Sequence, residues 1–146
     1  MLRLGYLPSD FNPMLLVLGE AEDLRGLAFV LRRFARDTAA VKLHELSFCH
    51  ARQTQVTLAG GGGTSGLHAA LDDAGAFVWH LDAARATEFA GLVEDLATSA
   101  RVAGSETLAC GTADEVPVKV SRGEYTDDFL LAGAASAAVK GSAAKQ

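Results

Sequence analysis

A chain of 146 residues with 49% hydrophobic content is long enough to build one domain around a substantial core. Its net charge of −5 and pI near 5.3 argue against general binding to nucleic acid or anionic membranes, which draw affinity from clustered Lys and Arg. No run reaches the roughly 18 apolar residues needed to span a bilayer, and residues 1–7, with one basic residue ahead of Pro8, Asp10 and Pro13, do not read as a secretory signal. The expectation is a cytoplasmic protein with neither a membrane nor a nucleic-acid partner.

The first strand-like run is 14–18. It leads into a helix-like run, 21–37, in which Leu24, Leu27, Val30, Leu31 and Phe34 recur at three- and four-residue spacing as one apolar stripe. Glu20, Glu22 and Asp23 suit the positive N-terminal end of that helix. Alternating segments follow around 41–48 and 54–59. Residues 60–66, four glycines followed by Thr64, Ser65 and Gly66, read as a flexible linker. They do not match the GxxxxGK[ST] pattern of a phosphate-binding loop. Residues 67–71 read as a short helical turn.

At 76–81 an alternating run sets Phe77, Trp79 and Leu81 on one face and Val78 and His80 on the other. A second helix-like run, 83–100, carries Ala86, Phe89, Leu92, Val93 and Leu96 behind a candidate N-cap at Asp82. Strand-like segments follow around 106–110 and 115–121, where Pro117 favours an edge or a bulge. Beyond Leu131 the composition turns to Ala, Gly, Ser and Lys, which offers few large side chains to bury, so 132–146 is expected to be a disordered tail.

The order strand, helix, strand, strand recurs about 62 positions along the chain. The predicted fold class is therefore α+β: tandem βαββ units at 14–59 and 76–121 forming a mainly antiparallel sheet with two helices on one face. Both units belong to a single domain, 1–131. Seven of the 13 basic residues but only six of the 18 acidic residues lie at or before Gly62, so the second half carries the acidic excess.

Chemistry-bearing residues are scattered. Cys49 and Cys110 have no CxxC or metal-ligand spacing and read as buried free thiols. His44, His50, His68 and His80 show no HExxH or comparable signature. Cys49 and His50 point to opposite faces of any strand that holds both, which disfavours a thiol activated by its neighbour. No catalytic residue, metal ligand or cofactor is expected.

Two surfaces are candidates for binding. If both helices cover one face of the sheet, the other displays Lys42, His44, Gln55, Thr57, Val78, His80 and Lys119. Beyond the last strand, Glu124, Tyr125, Asp127 and Asp128, with Phe129 and Leu130, form either a closing flap or a recognition segment.

The run Leu18-Gly-Glu-Ala-Glu-Asp-Leu-Arg-Gly-Leu-Ala, its partial echo at 81–92 and the Gly-Glu-Tyr-Thr-Asp-Asp ending resemble small uncharacterised bacterial α+β proteins. Some of these are immunity proteins that neutralise a toxin partner, so the resemblance implies binding. The leading expectation is a non-enzymatic protein-binding or regulatory module. The alternatives are a small enzyme or a ligand- or metal-binding domain with a site between the units, and self-association through the sheet face as a homodimer.

Overall fold

The computed structural model describes residues 1–8, 12–51, 53–70 and 74–123. In chain order its elements are β1 (Leu2–Leu7), β2 (Met14–Leu18), α1 (Ala21–Asp37), β3 (Val41–Lys42), a 3-10 turn (Leu43–Glu45), β4 (Cys49–Ala51), β5 (Gln55–Ala59), β6 (Gly66–Ala69), β7 (Ala76–His80), α2 (Ala83–Thr98), β8 (Gly104–Leu108) and β9 (Val118–Arg122).

The first helix forms where its stripe predicts, and Leu24, Leu27, Ala28, Leu31 and Phe34 are its buried residues. Its first turn is tied by the Asp23 carboxylate, which accepts the Glu20 amide at 2.9 Å and pairs with the chain's amino group at 3.2 Å. Asp82 caps α2 as expected, its Oδ1 accepting the Arg85 amide at 2.7 Å. At the other end of α2, Arg122 Nη1 donates to the carbonyls of Leu96, Ala97 and Ser99. A cation there answers both the unpaired carbonyls and the negative end of the helix dipole.

The α+β class holds, but the single mainly antiparallel sheet does not. The strands divide into a five-stranded sheet ordered β4-β1-β2-β9-β8 and a four-stranded sheet ordered β3-β5-β7-β6. Both are mixed: β1·β4, β2·β9 and β5·β7 are parallel, while β1·β2, β3·β5, β6·β7 and β8·β9 are antiparallel. Consecutive units are not self-contained either, because β9 from the second half joins β2 and β5 from the first half joins β7. Each helix has one apolar stripe, and α1 and α2 pack on each other. Helix residues and the inward residues of both sheets therefore share one core. Trp79 is buried in that core and stacks on Phe89 with centroids 6.0 Å apart.

The correspondence that survives runs between sheets. Leu15↔Val118 and Leu18↔Ser121 in one parallel ladder match Phe77↔Val56 and His80↔Ala59 in the other, each residue displaced by 62 positions.

Two short strands depart from the sequence reading. Residues 2–7 form β1, with Leu2 and Leu4 buried. Residues 67–69 of the segment read as a helical turn, with Gly66 of the expected linker, form β6, antiparallel to β7. Gly66 turns the chain at φ +100, and a Cβ there would lie 2.3 Å from a Glu115 oxygen. One residue later, the Leu67 carbonyl accepts the Val116 amide at 2.8 Å, so external pairing fixes what local composition leaves open. Among the described residues, no helix is long and apolar enough to cross a membrane. The tail at 132–146 and the segment 124–131 lie outside the described residues.

Candidate functional site

The predicted open face is only partly assembled. Lys42, Thr57, Val78 and His68 fall in one row across the four-stranded sheet, since Lys42 pairs with Thr57, Thr57 with Val78 and Val78 with His68. In the next row His80 stands between Ala59 and Gly66. Lys119 does not belong there, because β9 lies in the other sheet. His44 is committed to the backbone: its Nδ1 accepts the Val56 amide at 3.1 Å, which finishes a strand edge. Glu124, Tyr125, Asp127 and Asp128 lie outside the described residues.

The glycine run has a structural task. A Cβ on Gly63 would sit 2.2 Å from His80 Nε2, so the loop crosses the imidazole at a distance only glycine permits. Ser65 and His68 also meet Thr112, whose hydroxyl donates to the Ser65 carbonyl at 2.7 Å. The Glu115 carboxylate gathers the amides of Cys110, Gly111 and Thr112. These groups satisfy one another and hold two loops together.

Neither thiol is prepared as a nucleophile. Burial pushes the Cys49 thiol up to about 11. Burial, reinforced by the Glu115 charge, raises that of Cys110. The reactive thiolate is therefore scarce near neutral pH. Among the described residues, no three His, Cys, Asp or Glu side chains converge as a metal site.

The surface that stands out was not among the sequence candidates. On α1, Arg25, Phe29, Arg32, Arg33 and Arg36 are all exposed, and at 3.6 residues per turn they share one side of the helix, away from the buried stripe. Phe29 is 60% exposed, one of three exposed large hydrophobic residues among the described residues. Arg32 pairs with Glu94 of α2. No ion pair to Arg25, Arg33 or Arg36 occurs among the described residues. Phe29 and Arg33 line the lip of a cleft of about 310 Å3, whose walls include Val30, Phe34, Val41 and Leu46.

No protein-family model matches this chain, and no curated protein or solved structure is similar to it.

The second half offers an internal contrast. A cleft of about 370 Å3 beside α2 is lined by Asp95, Leu96, Ser99, Arg101, Ala103, Gly104, Ser105 and Glu106. Asp95 and Leu96 stand 62 positions after Arg33 and Phe34, and the counterpart of Phe29 is Gly91. The same place in the architecture carries Phe29 with Arg33 and Asp37 on α1, and Asp95 and Glu106 with Arg101 beside α2. The signal in the sequence was a phenylalanine off the apolar stripe, among four arginines.

Proposed function

We propose that this chain is a protein-binding module without catalysis of its own, and that α1 carries its docking face. The observation that carries the reading is Phe29, an aromatic ring left in water beside a cleft lined by Val30, Phe34, Val41 and Leu46 together with Arg33 and Asp37, and flanked along its helix by further arginines. Aromatic residues and Arg are enriched where proteins bind one another, and a few such anchors supply most of the binding energy. Arginine suits the task because its planar fork donates two parallel hydrogen bonds to one carboxylate.

The partner is a protein segment with an apolar anchor for the cleft and carboxylates for Arg25, Arg33 and Arg36. A nucleic acid fits less well, since its phosphates do not fill an apolar cleft and Arg32 is already engaged by Glu94. The resemblance to immunity proteins supports the same class of function, partner binding. Two free cysteines support action in a reducing compartment such as the cytoplasm.

The test compares the folded wild-type chain with a Phe29→Ser, Arg33→Glu variant as baits in lysate of the native host. The reading expects a stoichiometric partner retained by the wild type and lost by the variant. A partner held equally by both, or none at all with folding confirmed by circular dichroism, overturns it.

A further inference from the structure

The edges of the two sheets are finished differently. On the four-stranded sheet β3 is two residues long before the chain turns away, and β6 is bridged at Leu67 by Val116. On the five-stranded sheet β4 has three residues, whereas β8 runs for five, with β9 as its one strand partner among the described residues. No proline or lysine blunts this edge. Its backbone groups can be assigned. The Pro117 and Ser121 carbonyls accept the Leu15 and Gly19 amides at 3.0 and 3.2 Å, so the odd residues of β9 bond to β2 and its even residues, Val118, Val120 and Arg122, bond to β8. Their partners there are Leu108, Glu106 and Gly104, and Ser121 Oγ reaches the Gly104 carbonyl from the same side. The amides and carbonyls of Ser105 and Thr107 therefore point outward from the sheet edge.

Glu106 shares a face of β8 with buried Leu108. With Asp95 of α2 it lines the cleft of about 370 Å3 that runs beside this edge. No ion pair engages Asp95, Glu106 or the cleft's one cation, Arg101, among the described residues. Two carboxylates against one guanidinium leave the cleft short of a positive charge. We propose that the free edge of β8 takes an extended segment of a partner protein, which adds a strand to the sheet and sets a Lys or Arg side chain against Glu106 and Asp95. This is a second surface, apart from the docking face on α1. Antiparallel addition is the more stable pairing. With the bonds made at Ser105 and Thr107, it leaves Glu106 in a pair without backbone bonds, where facing side chains come closest. A basic residue opposite Glu106 then completes a favourable cross-strand charge pair and lies in the cleft with Asp95. Val102, two residues ahead of the strand, is 80% exposed and offers apolar contact at that end. A second copy of the chain fits worse, because pairing β8 with itself over its full length puts Glu106 opposite Glu106, and like charges directly opposed are destabilising.

The test titrates the isotope-labelled full chain with the end-blocked peptide Ser-Val-Thr-Arg-Thr-Val-Ser and with the same peptide carrying Glu in place of Arg. Amide shifts and hydrogen exchange are read together. The proposal expects saturable shifts centred on Ser105, Glu106 and Thr107, slowed exchange of the Ser105 and Thr107 amides, and binding at least about tenfold weaker for the Glu peptide. Thr107→Pro removes one outward amide and leaves the ladder to β9 intact, and Glu106→Gln removes the charge. Each variant, with its fold checked by circular dichroism, is expected to bind the Arg peptide severalfold more weakly than wild type. Equal binding of both peptides, shifts centred on Phe29 and Arg33, Ser105 and Thr107 amides that already exchange slowly in the free chain, a dimer formed through β8 without peptide, or no saturable response overturns the proposal.

Discussion

Phe29 and Arg33 stand one turn apart on α1 and share the lip of the same cleft, with the ring 60% exposed and the guanidinium unpaired among the described residues. Such an arrangement contributes little to folding and is suited to recognition.

That contrast separates two phenylalanines of one cleft. Phe34, buried in the cleft wall, is expected to lose about 3–5 kcal/mol on replacement by Ala. Phe29→Ser is expected to cost less than about 1 kcal/mol, in the range of surface changes. Urea denaturation of both variants checks the difference; equal losses would make Phe29 a packing residue.

Gly63 and His80 are expected to be coupled. Gly63→Ala forces a Cβ into the imidazole and is expected to cost about 1–3 kcal/mol, as overpacking does. In a His80→Ala background the same change is expected to be nearly neutral, which a double-mutant cycle measures. Additive effects would show that the loop does not rest on this ring.

Cys49 gives a pH signature. Its thiol is pushed up to about 11 by burial, so the folded state holds its proton where an unfolded thiol has lost it. The sign follows: this contribution to stability is fully present below about pH 9 and is lost as pH rises towards about 11. Alkylation of Cys49 in the folded protein is accordingly expected to be slow at pH 8 and to rise with pH up to about 11. A rate at pH 8 equal to that of the unfolded chain would contradict the burial.

Local signals made the helices legible and left the sheets obscure. The stripe from Leu24 to Phe34 set α1, and Asp82 marked the start of α2. Strand partners were not readable, because pairing β2 with β9 joins residues about a hundred positions apart and alternation states only that a strand has two faces. β6 was hidden by Gly66 and the glycine run ahead of it, whose conformational freedom reads as a break until Val116 and β7 pair with the strand. The sheet-face site was legible in part: Lys42, Thr57 and Val78 share a row, whereas Lys119 needed the sheet assignment to be placed. Phe29 lies outside the apolar stripe of α1, so the periodicity that marks the core gives no sign of it.

The most direct measurement of the central claim is a titration of the isotope-labelled full chain, followed by amide chemical shifts. The titrant is a short peptide carrying one Leu or Phe among Asp and Glu, compared with the same peptide in which Lys replaces the acids. The account predicts saturable shifts centred on Phe29, Val30, Arg33, Val41 and Leu46, absent with the Lys peptide and absent in Phe29→Ser. Shifts centred instead on the row from Lys42 to His68, equal response to both peptides, or no saturable response would contradict it.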